Sequence, residues 1–166
     1  MKRNIKKITV VGLLLALEII LSRFCSYSVW NSKIGFAFVS VVICAMLYGP
    51  VYSAILGGLA DFLGAILFPI GAYFPGFTFT AALIGFVFGL FLYKKSNLIL
   101  IIFSVILTQL ILSLLLNSYW ISFVYGSPYN AVLISRIPQS AILIVVQTFC
   151  ITLIHKFIIG KLKKFL

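Results

Sequence analysis

The groups able to do chemistry are few and unevenly placed. Against thirteen lysines and arginines the chain has two acids, Glu18 and Asp61, and one histidine, His155. Asp61 stands in GGLADFLGAILFPIGAYFPGFTFTA, residues 57–81, a stretch otherwise apolar enough to cross a bilayer. An ionised carboxylate at such depth costs about 2.5–3.5 kcal/mol on insertion scales, so Asp61 needs a fixed hydrogen bond or a ligand. Further along, Gln109, Ser113, Asn117 and Trp120 recur at spacings of four, four and three, which lines them on one helical face. Arg136, Gln139, Ser140 and Gln147 repeat that pattern. A cluster of this kind, polar, aromatic and cationic together, suits a flat anionic ligand.

Catalysis has no comparable set of residues. There is no G-x-x-x-x-G-K-[ST] loop to cradle a nucleotide and no G-x-S-x-G element. Two acids in total cannot build a two-metal site. Cys25, Cys44 and Cys150 form no C-x-x-C pair and lie in or beside apolar runs, where cysteine behaves as a small hydrophobe. No disulfide, metal or cofactor is expected. His155, among Lys156 and Lys161, reads as a solvated or headgroup-contacting imidazole.

The elements that must position the polar groups follow from composition. With 63% hydrophobic and 9% charged residues and a mean hydropathy of +1.24, the 166 residues are far more apolar than a soluble domain. The apolar runs do not alternate, so helices and not a barrel must span the bilayer. Breaks at Pro, Gly and charged clusters predict six transmembrane helices in a single domain, residues 1–166, at about 7–24, 33–49, 51–68, 75–93, 97–117 and 136–159. Pro50 in YGPVY divides the second from the third. The basic start resembles a signal peptide, but Glu18 interrupts the apolar run and no small-residue cleavage site follows, so a retained first helix is expected.

Six spans place both termini on one side. Ten basic residues then share that side, against Arg23, Lys33 and Arg136 on the other, which predicts cytoplasmic termini. The net charge of +11 is thus read as orientation and contact with anionic membrane lipid, not nucleic-acid binding. The three outer cations flank helix ends, where they either snorkel to headgroups or bind an anion in an outward-facing pocket. Asn117, Trp120, Arg136 and Gln139 lie near that outer mouth. Gln109 and Gln147 lie deep, and are expected to hydrogen-bond between helices. Two irregular stretches, 24–33 and 69–76, have the composition of mobile lids. Gly12 and Ala16 form a small-xxx-small pair for helix docking. A channel would need a polar lining continuing to the cytoplasmic side, whereas these stripes thin out inward.

The stretch at 57–81, preceded by FAFVSVVICAMLYGPVYSAILGG, resembles the signature of the substrate-binding S components of energy-coupling factor (ECF) vitamin transporters. LLLNSYWISFVYGSPYNAVLISRIPQ and LSRF resemble the folate-specific branch. The resemblance implies a multi-pass plasma-membrane protein with an ECF S-component-like bundle, no enzymatic activity of its own, and capture of folate or a reduced folate at the extracellular face. It implies partners too: a membrane coupling (T) subunit, which Gly12 and Ala16 would contact, and two cytosolic ABC ATPases. Folate's two carboxylates would meet Arg23, Lys33 and Arg136; its rings would stack on Tyr73, Phe74, Tyr119 or Trp120; its pterin would meet Asp61; and Asn117 and Gln139 would contact the ligand near the outer mouth. The alternative for Asp61 is an interhelical hydrogen bond to Asn117 or Arg136. An S component for another vitamin, such as pantothenate or niacin, is a second reading; a channel or intramembrane enzyme is a third.

Overall fold

The structure, a computed structural model, describes residues 2–29, 32–94 and 97–156; the side chains of 2–4, 27–29 and 32–33 are outside the described set. Six helices carry the fold. They are α1 (Lys2–Arg23), α2 (Phe38–Tyr48), α3 (Pro50–Leu67), α4 (Pro75–Leu92), α5 (Leu98–Tyr125) and α6 (Tyr129–Ile154). Helices α3 to α6 are long and apolar enough to cross a membrane. With eleven residues, α2 rises only about 16 Å, half of a typical hydrocarbon core. It is covered by its neighbours instead: Val42, Cys44 and Ala45 are fully buried, in a core that also takes Leu56, Phe88, Leu92, Ile101, Val105 and Ile151. Large apolar side chains such as Leu13, Ile99 and Val145 cover the outside, as an integral membrane protein requires.

The turn in YGPVY forms because Gly49 takes φ +86°, a backbone conformation that only glycine adopts without strain, and Pro50 then opens α3 at a position where its missing N–H costs nothing. Helices α3 and α4 approach closely through small residues. A Cβ on Gly57 would lie 2.6 Å from the Ala81 carbonyl oxygen, and one on Gly85 would strike the Ser53 backbone. Ser53 Oγ donates to the Gly85 carbonyl at 2.7 Å, tying the two helices at their contact.

Four boundaries differ from expectation, the first being the start of α1 at Lys2 and not at 7. Residues 26–29 and 32–35, taken as irregular chain and the start of the second helix, form two antiparallel strands, β1 (Ser26–Val29) and β2 (Ser32–Gly35), with Ser26 opposite Gly35 and Ser28 opposite Lys33. Helix α5 continues past 117 to Tyr125 and ends at Gly126, whose φ of +64° makes a left-handed cap. Its middle, Leu107–Leu116, is π-helical. Helix α6 begins at Tyr129 after Pro128, not at 136, and carries Pro138 within it. Polar residues and prolines around 117–138 read as a loop because local rules treat both as helix breakers; packing of α5 on α6 overrides them. The expected end at 159 falls outside the described residues.

Candidate functional site

Two groups of polar side chains emerge, each meeting the loop that joins α3 to α4. The first is built by α1, α3, that loop and α4. Arg23, Asp61, Ala65, Ile70, Gly71, Ala72, Tyr73 and Phe77 line a cavity of about 170 Å³. None of these residues comes from α5 or α6. Asp61 is half-buried and accepts a hydrogen bond from Thr78 Oγ1 at 2.8 Å, and the Tyr73 hydroxyl stands 3.4 Å from that same oxygen. Arg23, at the end of α1, lays its guanidinium across Gly64, where a Cβ would come within 2.8 Å of Nε. The Tyr73 ring packs edge-on against Phe62 at 5.9 Å. The carboxylate is therefore held by the neighbouring helix; neither Asn117 nor Arg136 supplies its bond.

The second group is built by α5 and α6 with the next loop residue, Phe74. Its ring packs 5.4 Å from Trp120 and 5.6 Å from Phe123, and Tyr119 sits edge-on to Trp120 at 5.1 Å. Gly76 permits this, because a Cβ there would fall within 2.7 Å of the Phe74 and Trp120 rings. Trp120 Nε1 donates to Thr80 Oγ1 at 3.1 Å, and Thr80 donates on to the Gly76 carbonyl at 2.9 Å. The indole is thus fixed by a short hydrogen-bond chain.

On α5 and α6 several buried polar atoms are unsatisfied. Arg136 is only 6% exposed, yet its Nε and Nη1 are buried without a partner among the described residues, as are Asn117 Oδ1 and Ser118 Oγ. Gln139 and Ser140 are buried on the same helix as Arg136. Three residues, 126–128, join α5 to α6, so the two run antiparallel, and Asn117 and Arg136, at nearly equal distances from that loop along the chain, share a depth. A guanidinium taken out of water costs several kcal/mol unless it is paired. An anion with a flat apolar body answers both features.

The ten residues expected to bind substrate thus divide. Arg23, Asp61 and Tyr73 fall in the first group; Phe74, Asn117, Tyr119, Trp120, Arg136 and Gln139 in the second; the Lys33 side chain is outside the described set. Gly12 and Ala16 are exposed on α1, and a Cβ on Gly12 would meet nothing within 4 Å. Sequence reasoning missed Thr78 as the partner of Asp61, Thr80 as the anchor of Trp120, and Phe123. Phe123 follows Trp120 by one helical turn, a usable signal; no spacing rule links Asp61 to Thr78 on another helix. The expected interhelical bonds of Gln109 and Gln147 are absent: the Oε1 of each is buried without a partner among the described residues.

Comparison with known proteins places these groups in a family. The model of the ECF transporter, substrate-specific component, matches residues 6–155. The chain is 31% identical over 150 residues to the folate transporter FolT of Clostridium novyi, covering 88% of this chain and 87% of that protein. It is 30% identical over 131 residues to the FolT of Leuconostoc mesenteroides, covering 78% and 70%. A crystal structure of FolT bound with folic acid superposes with a TM-score of 0.86 at 33% identity, over 92% of this chain and 94% of the other. The S component of a bacterial ECF transporter shares the fold, with a TM-score of 0.72 at 22% identity over 96% and 99%. The chain belongs to the ECF transporter family as a substrate-specific component, a membrane-embedded binding subunit of a transporter and not an enzyme.

Proposed function

We propose that this protein is the folate-binding S component of an ECF-type importer, working in the plasma membrane. Two FolT relatives and the likeness to FolT bound with folic acid support that substrate. The observation that carries it in this chain is the buried guanidinium of Arg136 on α6, whose Nε and Nη1 have no partner among the described residues, with Asn117 at a similar depth on the packed helix α5 and Trp120 and Tyr119 following on α5 against Phe74. Folate supplies carboxylates for the arginine and flat rings for these aromatic side chains.

In this reading the α5/α6 group takes the ligand, and Arg23, Asp61 and Tyr73 secure the loop that covers it. The excess of basic residues on one side supports cytoplasmic termini and an outward-facing site. Passage inward then needs partners, since the chain has no nucleotide-binding loop of its own. A membrane coupling subunit would seat on the open small-residue face at Gly12 and Ala16, with two cytosolic ATPases energising release. Titrating folic acid into the purified chain should give saturable one-to-one binding, with pantothenate and niacin giving none. Absence of folic acid binding, or tighter binding of another vitamin, would overturn the assignment.

A further inference from the structure

The cavity lined by Arg23 and Asp61 takes no residue from α5 or α6, and the function proposed above gives it only a loop to hold. It carries two opposite charges. Asp61 accepts from Thr78 on Oδ2, and a carboxylate has acceptor sites to spare on both oxygens. Arg23 lays its guanidinium over the buried Gly64, three residues beyond Asp61 on α3 and so about 4.5 Å nearer the loop. Its Nε is buried without a hydrogen-bond partner among the described residues. An arginine that only snorkels carries its head outward into water; this one is folded back over a glycine. A ligand here must therefore satisfy both signs at once. A plain anion would be repelled by Asp61 and a plain cation by Arg23, with little solvent to screen either, whereas a group holding an anion and an ammonium a few bonds apart gains on both.

The surroundings indicate the source of such a group. Where α1 and α3 end, Phe24 and Phe68 pack edge-on at 5.2 Å and both rings are exposed; Ile20, Leu67 and Ile70 are exposed around them. Side chains of this kind on a membrane protein meet acyl chains. Tyr73, exposed on the loop, brings its hydroxyl close to Thr78 and the carboxylate, as tyrosines do at headgroup level. We propose that this cavity binds the head of a zwitterionic phospholipid bearing a primary ammonium. Arg23 takes the phosphodiester, as a guanidinium fork suits, Asp61 accepts from the ammonium, and the acyl chains lie along the exposed apolar side chains at the ends of α1 and α3. The lipid head thereby joins the Thr78 bond in supporting the loop. This assignment does not depend on which vitamin occupies the site on α5 and α6.

The test uses the full chain, purified in detergent and stripped of lipid. It is titrated with phosphatidylethanolamine, with phosphatidylglycerol, which lacks the ammonium, and with glycerophosphoethanolamine, which has the same head without acyl chains. Native mass spectrometry counts bound molecules, and thermal unfolding reports stabilisation. Wild type should bind one phosphatidylethanolamine about tenfold more tightly than phosphatidylglycerol and melt higher with it, and the soluble head should not compete. Arg23→Gln should weaken both lipids. Asp61→Asn should weaken phosphatidylethanolamine about tenfold, the effect of one charge-assisted hydrogen bond, and bind phosphatidylglycerol as tightly as wild type or more so, because a repulsion has gone. Ala65→Leu, which narrows the cavity and leaves both charges, should remove the preference between the lipids in a chain that still unfolds cooperatively. Equal binding of the two lipids by wild type, or a preference that survives Asp61→Asn, would reduce the contacts to ordinary lipid solvation and overturn the proposal. Competition by glycerophosphoethanolamine would put a soluble zwitterion in the cavity and overturn the lipid as its occupant.

Discussion

The Asp61 cavity and the Arg136 site each bury an ionisable group in an apolar bundle, and they treat it in opposite ways. Asp61 is met by a hydroxyl from the adjoining helix at 2.8 Å, in a region where α3 and α4 touch through glycines. Arg136 is more deeply buried and has two nitrogens with no partner among the described residues, and further unmatched oxygens lie at a similar depth on α5. A satisfied charge holds a structure together. An unsatisfied one is tolerated only if something else completes it, which is why we propose the second region as the binding site. Tyr73 and Phe74, consecutive in the loop, join the two: one lines the Asp61 cavity and the other packs on Trp120.

The contrast is broken most directly by Arg136→Ala. Charge-assisted hydrogen bonds to a carboxylate contribute about 1.5–3 kcal/mol each, so loss of the guanidinium should weaken folic acid binding by two orders of magnitude or more. The empty protein should become no less stable, since an unpaired buried cation has been removed. Calorimetric titration and thermal unfolding measure both. A large loss of stability with intact binding would make Arg136 a structural residue and reverse the comparison.

Asp61→Asn probes the other side. Asparagine keeps an acceptor for Thr78 but loses the charge, so the melting temperature should fall by an amount corresponding to about 1 kcal/mol, while folic acid affinity should change less than about threefold. Loss of binding at unchanged stability would move the ligand into the Asp61 cavity and restore direct pterin contact as the role of this carboxylate.

How far each region can be read from sequence differs for the same physical reason. The six helices are legible because a bilayer leaves an apolar chain few ways to satisfy its backbone. The face of α6 is legible too, since Arg136, Gln139, Ser140 and Gln147 follow helical spacing and are all buried, whereas the π-helical section Leu107–Leu116, which holds Gln109 and Ser113, departs from the α-helical spacing used to place them. What a face cannot reveal is whether a partner stands opposite. For that reason Gln109 and Gln147 read as interhelical glue, and Thr78, separated from Asp61 by a loop and carried on another helix, gave no signal. The extension of α5 through NSYWISFVY was hidden by its polar and aromatic content, and the start of α6 by Pro138, because both features break isolated helices but not helices packed along their length.

The smallest expected effect comes from Trp120→Phe, which separates the ring from its hydrogen bond. Phenylalanine preserves an aromatic face against Phe74 but cannot donate to Thr80, which is fully buried and continues to donate to Gly76. That bond lies within the protein, so its loss, worth about 1 kcal/mol, falls mainly on stability, and affinity for folic acid should fall only about twofold, far less than for Arg136→Ala. Trp120→Ala, which also removes the stacking surface, should cost more than the phenylalanine variant, and the difference measures that surface itself. Equal losses in the two variants would mean that the N–H bond, by fixing the indole, matters more than the ring it fixes. The site would then be defined by its hydrogen-bond network, with the aromatic surface secondary.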